Sequence, residues 1–284
     1  MYNINMSKKI FKYVVNKNQS GITIEQFFQY FKLGKDKINS LIFNKKVTIN
    51  EVLINQKNVV INEGDLIVLN YDTEEIIKYK SEIKVVYEDD YILVVNKPGK
   101  MLVHSDGNTN HTLTNAVHYY LSNEQKGTYA FPVHRIDFDT TGIVVFAKDP
   151  LTLSFLSTEI ENHNLVKKYV CLCHNRFELN RGKIKKNISR DRHSNKQIIN
   201  TNGKEAVSYY EVISNNTISK VLVTIIHGRT HQIRVHMQSI NHPILGDKLY
   251  GVEDGYDLKL HFKNVAFYHP FKQRNIEIDC KEDF

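Results

Sequence analysis

The chain has 284 residues, 41% hydrophobic and 24% charged, an ordinary globular composition that excludes a long disordered tail. Against 31 acids, 38 lysines and arginines give a net charge of +7, which favours polyanions such as nucleic acid or an anionic membrane surface. The three cysteines, Cys171, Cys173 and Cys280, are an odd count that argues against a closed disulfide framework and suits a reducing compartment.

Met1 to Lys17 is polar and lacks the apolar run of a signal peptide or membrane span, so a cytoplasmic location is expected. Thr23 to Gln26 has the form of a capping box, and Phe27, Phe28, Phe31 and Leu33 give the helix after it an apolar face. Leu33-Gly34-Lys35 is a break. Ile38, Leu41 and Ile42 mark a second helix, closed by Asn44-Lys45-Lys46. Val47, Ile49, Val52 and Ile54 alternate around Asn50-Glu51, a hairpin pattern, and a strand comes next from Leu66 to Leu69. Residues 1–72 therefore form a first unit, with the N-terminal segment of about 17 residues leading in, by these periodicities. The charged, aperiodic stretch 73–82 is a linker, and 83–284 forms the larger domain.

In that domain, strands are expected over Lys84–Tyr87, Tyr91–Asn96, Ile143–Ala147, Val166–Cys173, Ala206–Val212, Lys220–Ile226, Val265–His269 and Ile276–Cys280. Helices are expected around Leu113–Leu121, Leu153–Ile160 and Arg229–Ser239. Strands that rarely alternate with helices point to an α+β fold with a mostly antiparallel mixed sheet, preceded by a small α/β unit. Cys171 and Cys173, two apart on a strand, share one side as small buried hydrophobes.

Three segments could carry chemistry. Pro132 to Gly142, containing His134-Arg135-Ile136-Asp137, is a polar loop directly before a buried strand, where functional groups concentrate. By itself it also fits a plain turn, with Asp137 or Asp139 accepting backbone bonds and Arg135 in a surface ion pair. His227 to His236 packs two arginines and three histidines into ten positions. If helical, it makes His227 and His231 neighbours, but the glutamate of a zinc-binding H-E-x-x-H pattern is missing. Arginines among histidines suit phosphate or carboxylate recognition. Third, Lys167 and Tyr169 share one face of a strand, where a tyrosine is commonly a packed aromatic.

Taken in order, these segments resemble the RluA family of pseudouridine synthases over nearly all of 83–284. Asn96-Lys97-Pro98 with Val103-His104 is similar to the first family motif. His134-Arg135-Ile136-Asp137 with Thr140-Thr141-Gly142 is similar to the second, Lys168-Tyr169 to the tyrosine motif, and Gly228 to His236 with Gly246-Asp247 and Tyr250-Gly251 to the third. The resemblance implies conversion of uridine in RNA to pseudouridine, with no cofactor and no metal. It implies Asp137 as the catalytic carboxylate, Arg234 as its ion-pair partner and Tyr169 as a base, proton carrier or ring against the uracil.

A uridine inside a helix must be flipped out to reach a pocketed carboxylate. Arg135, adjacent to Asp137, is the candidate to fill the gap, while His134 is a candidate to bind phosphate or order the loop. Thr140, Asn96, Lys97 and His231 complete the expected RNA-contacting set.

The first unit resembles the S-four type RNA-binding module, with Asn44 and Glu51 where glycines are usual and Lys35 and Lys37 where arginines are common. Lys35, Lys37, Lys45 and Lys46 are its candidate RNA contacts. The expected partner is large-subunit ribosomal RNA, with transfer RNA as the alternative, acting without a membrane and as a monomer. A non-catalytic RNA-binding protein is the competing class, and a hydrolase pairing Asp137 with Asp139 is a further one.

Overall fold

A computed structural model describes residues 6–126, 129–194 and 196–284. In chain order the first elements are β1 (Met6–Val14), α1 (Ile24–Tyr30), α2 (Lys35–Phe43), β2 (Val47–Ile49), β3 (Val52–Leu53) and β4 (Leu66–Glu74). The strands form an antiparallel sheet in the order β1-β4-β2-β3. Thr23 and Gln26 make the expected capping box at the start of α1, satisfying two backbone donors reciprocally. Phe27, Phe28, Ile38 and Ile42 bury the helices against Ile67 and Leu69 of the sheet core.

Several expectations change here. The N-terminal segment is not merely a lead-in: β1 runs along the full length of β4, from Met6 opposite Glu74 to Val14 opposite Leu66. Ile10 and Val14 on the outward face and Lys9 on the inner one masked the alternation, whereas Tyr13 on the inner side is buried. β4 continues to Glu74, so the stretch expected as a linker begins inside a strand. The chain beyond β4 is tied down at Asn115, whose side chain donates to the Ile77 carbonyl at 2.6 Å and whose backbone carbonyl accepts from the Tyr79 amide at 3.1 Å. The left-handed residue closing α2 is Lys45, at φ 55°, not Asn44, at φ −82°. Asn50 and Glu51, at φ 48° and 70°, both take the left-handed conformation that a tight hairpin turn demands.

The remaining elements are β5 (Lys84–Glu88), β6 (Ile92–Lys97), α3 (Leu113–Asn123), β7 (Phe131–Pro132), β8 (Thr141–Ala147), α4 (Pro150–Glu161) and β9 (Val166–His174). Then come β10 (Arg181–Lys185), β11 (Ile188–Arg190), β12 (Gln197–Ile199), β13 (Val207–Ser214), β14 (Ile218–Ile225), α5 (Gln232–Gln238), β15 (Leu260–His269) and β16 (Arg274–Asp279). The large sheet runs β10-β13-β14-β9-β15-β8-β6-β5, with β16 on β15 and β7 on β8. Among the described residues only β8 and β15 pair in parallel, so the fold is α+β with a mostly antiparallel sheet. β11 and β12 form a separate short hairpin that the sequence patterning did not reveal. Cys171 and Cys173 do share a side, their sulfurs 3.5 Å apart in the core.

The two sheets meet through aromatic contacts. Tyr13 stacks on Phe271, and its hydroxyl donates at 2.9 Å to Asp149, the residue that caps α4. Tyr30 donates to the Pro270 carbonyl at 2.8 Å.

Central β8 begins at a constrained point. Gly142 sits at φ 110° opposite Phe262 in the parallel pairing, and an added Cβ would strike the Phe262 backbone. Both the backbone conformation and the space exclude a side chain. Gly142→Ala is expected to destabilise the protein by about 3 kcal/mol or more, through strain plus overpacking. The check is the midpoint of urea unfolding; an unchanged midpoint refutes the constraint.

Candidate active site

The loop between β7 and β8 delivers Asp137 to an open cleft, lined among others by Arg135, Thr140, Tyr169, Arg229, His231 and Arg234. The lining residues come from the loop before β8, the middle of β9, the end of β14, the loop before α5 with its first turn, and the start of β15. Asp139 does not line this cleft.

The backbone carbonyls of Asp137 and the residue after it are both held. The Asp137 carbonyl accepts from the Thr140 amide at 3.2 Å. The next carbonyl, of Phe138, accepts from the Met101 amide at 3.2 Å and from the Lys97 ammonium at 2.9 Å. Lys97 also donates to the Pro98 and Met101 carbonyls, each at 2.8 Å. It is 0% exposed, so the expectation that it contacts RNA is corrected. Its three donors are taken up by backbone, and burial brings its pKa down to about 8, against the opposing pull of Asp139 and Asp137. Asn96 lies beside it on β6 but faces a different depression, with Thr141 and Asp283, and is not brought to the Asp137 cleft.

His134 is also reassigned. Its Nε2 accepts from the Val145 amide at 3.2 Å, and its ring packs edge-on to Phe262. It orders the loop, the second of its two expected roles, and offers no charge to phosphate. Burial, with the nearby charge of Lys167, lowers its pKa to about 4. Arg135, by contrast, is exposed at the cleft, and no carboxylate pairs with it among the described residues. Thr140 is 2% exposed, and its hydroxyl lacks a partner among the described residues although the residue lines the cleft. An unpaired buried hydroxyl costs roughly 1–3 kcal/mol, which a bound ligand could offset.

Helix α5 is shorter than expected. It starts at Gln232, because His231 adopts a left-handed conformation at φ 55°. The His227–His231 helical face therefore does not form, and His227 packs against His163 instead. Among the described residues there is no cluster of three or more metal-ligating side chains. Gln232 points inward, donating to the Val207 carbonyl at 2.9 Å, and His236 bonds Ser208 at 2.9 Å. Much of this basic segment thus serves packing.

Arg234 does face Asp137, with its NH1 3.9 Å from Oδ2. Its closer partner is Asp247, which takes a bidentate pair from Nε at 2.8 Å and NH2 at 2.7 Å. Asp247 also accepts from the Leu249 and Tyr250 amides at 3.0 Å. The expected Arg234–Asp137 pairing is therefore a longer contact from an arginine already oriented by a second carboxylate. His231 Nε2 stands 4.0 Å from the same Asp137 oxygen.

Tyr169 is buried, stacked on Phe262 with centroids 4.4 Å apart and planes within 12°. Burial, then the Asp137 charge, pushes its phenol far above the usual range. It is a protonated phenol at neutral pH, which disfavours a base role and suits a ring wall. Asp247, Tyr250 and Phe262 received no individual role from sequence. The glycines flanking the first two were their signal; Phe262 reaches the site through sheet pairing and left none.

In the first unit, Lys35 and Lys45 are exposed. Lys37 lies over the Tyr71 ring at 4.6 Å, and Lys46 is paired with Asp72 at 2.8 Å. No described helix is long and apolar enough to cross a membrane.

Comparison with known proteins adds a consistent set of relatives. Residues 91–239 match the family model for RNA pseudouridylate synthase. The chain is 30% identical over 272 residues to the uncharacterized RNA pseudouridine synthase YhcT of Bacillus subtilis, covering 90% of this chain and 88% of that one. It is also 30% identical to ribosomal large subunit pseudouridine synthase D of Yersinia pestis, covering 86% and 82% respectively. The solved structure of human RNA pseudouridylate synthase domain containing 1 shares the fold, with a TM-score of 0.63 at 22% identity, over 73% of this chain and 87% of that one.

The neutral His134 has a consequence for acid stability. Its folded pKa of about 4 lies below the unfolded value near 6.5, so the unfolded chain binds the proton first. Stability is expected to fall as pH drops from about 6.5 to 4, by up to about 3 kcal/mol from this group. Urea unfolding across that window checks it: His134→Gln should flatten the pH slope, and an equal slope in both proteins removes His134 as the cause.

Proposed function

The chain belongs to the RNA pseudouridylate synthase family, as an RluA-type member, and from that premise we propose that it isomerises uridine in large-subunit ribosomal RNA with Asp137 as the catalytic carboxylate. The observation that carries this reading is the convergence on one Asp137 oxygen of Arg234 NH1 at 3.9 Å and His231 Nε2 at 4.0 Å, inside an open cleft. The relatives named for the large ribosomal subunit support the choice of RNA.

The reaction moves the glycosidic bond from the ring nitrogen of uracil to carbon 5; the proton on that carbon leaves, and the freed ring nitrogen takes up a proton in exchange. No atom or electron is gained from outside the RNA and water. Asp137 acts as the ionised group that helps detach the uracil. Tyr169 provides a flat wall beside it, backed by Phe262. Thr140 offers its hydroxyl to the base or sugar. Arg135, exposed at the cleft, occupies the gap left by the flipped uridine, since its planar group can stack where a base was. In the first unit, Lys35 and Lys45 of an S-four type module add contacts to the RNA backbone.

Asp137→Asn retains size and removes charge. We expect pseudouridine formation to disappear, read as tritium release from uracil carbon 5, with RNA affinity within about threefold of the parent. Residual turnover above background would falsify the assignment. Arg135→Ala is expected to slow turnover on a structured RNA at least about tenfold more than on an unstructured loop. Equal losses on both substrates remove its gap-filling role. Mapping pseudouridines in cells lacking the protein identifies the target RNA; an intact large-subunit pattern excludes the ribosomal target.

A further inference from the structure

Asp137 is faced by two nitrogen-bearing side chains, Arg234 at 3.9 Å and His231 at 4.0 Å, and both are set from the same short loop, 246–251. Asp247 orients Arg234. Tyr250 orients the other. Its hydroxyl oxygen lies 2.8 Å from His231 Nδ1 and 2.6 Å from the backbone amide of Gln197, the first residue of β12. Its ring also lies under the Arg234 guanidinium, 5.1 Å from centroid to carbon.

The hydrogen-bond pattern assigns the protons. The Gln197 amide can only donate, so the Tyr250 oxygen accepts from it. The phenol keeps its own proton to offer to His231 Nδ1, and in that arrangement Nδ1 is the unprotonated nitrogen. Burial keeps the His231 ring below its usual pKa, against the pull of Asp137. A neutral ring carries one proton, which this bond leaves on Nε2, the nitrogen facing Asp137 Oδ2. Without the phenol, the ring is free to turn or to place its proton on Nδ1, which would point a lone pair at the carboxylate.

We infer that Tyr250 and His231 are positioning residues: Tyr250, fixed by the Gln197 amide, holds His231 with Nε2–H aimed at Asp137. This rests on Asp137 being the catalytic carboxylate. The arrangement also makes the hairpin of β11 and β12 part of the site's support. That hairpin lies in the stretch 181–204, which carries eight lysines and arginines and a single acid, Asp191. The strand fixing Tyr250 is thus embedded in surface suited to an RNA backbone.

The test is Tyr250→Phe in the full chain, which removes one oxygen and keeps the ring under Arg234. The expected result is kcat lowered about tenfold, KM for the RNA within about twofold and a melting temperature lowered by no more than about 4 °C. His231→Asn, which tolerates the left-handed backbone, should lower kcat by a similar factor, and the double variant should fall no further than the worse single. A kcat within about twofold of the parent in Tyr250→Phe overturns the inference. So do multiplying losses in the double variant, or a loss that appears as raised KM with a lowered melting temperature. Asp137→Asn run alongside separates the two claims. If it stays active, the catalytic assignment fails; if it is inactive while Tyr250→Phe matches the parent, only the positioning role fails.

Discussion

The buried ammonium of Lys97 is the contact on which the site's geometry depends. It binds three backbone carbonyls, two from the loop after β6 and one, Phe138, from the loop before β8. No side-chain carboxylate bonds to it directly, so its charge is met by peptide dipoles. Removing a charge from water is costly, and the cost is tolerated only when every donor is satisfied. The result is a short, stiff link between two loops, placed one residue from Asp137. A carboxylate on an unsupported loop would sample many orientations; here the carbonyls of Asp137 and Phe138 are both hydrogen-bonded.

The charge balance obeys the same logic. Arg234 is buried and could not stand alone there. Asp247 satisfies it with a fork-on-fork pair and is in turn capped by two amides of its own loop. The arginine therefore arrives at the cleft oriented, with one nitrogen left to face Asp137. The cleft combines this oriented cation with an apolar wall, Tyr169 on Phe262, and an unpartnered hydroxyl, Thr140. That is the mixture expected of a site that holds a flat, polar base while a charge sits beside it.

Legibility varied with the physical range of each signal. α1 was readable from its capping box, and α3 and α4 from their apolar spacing, signals that act within a few positions. β8 was readable as an uninterrupted apolar run. β1 was not, since its outward face carries Ile10 and Val14, its inner face carries Lys9, and its partner strand β4 is distant along the chain. The hairpin of β11 and β12 was missed because it is polar, short and outside the main sheet. α5 begins later than its periodicity suggests, because His231 is held left-handed beside Tyr250.

By itself, the sequence determined the fold class, the order of the motifs and the loop that bears Asp137. These depend on local pattern and on spacing along the chain. Only the tertiary structure decided which motif residues face the cleft and which hold it in place. Lys97 and His134 carry polar groups that suit RNA contact by type, yet both bond inward to backbone. Arg234 meets Asp247 before it meets Asp137. The reason is that a side chain's role is set by what surrounds its polar atoms, and those neighbours come from distant parts of the chain.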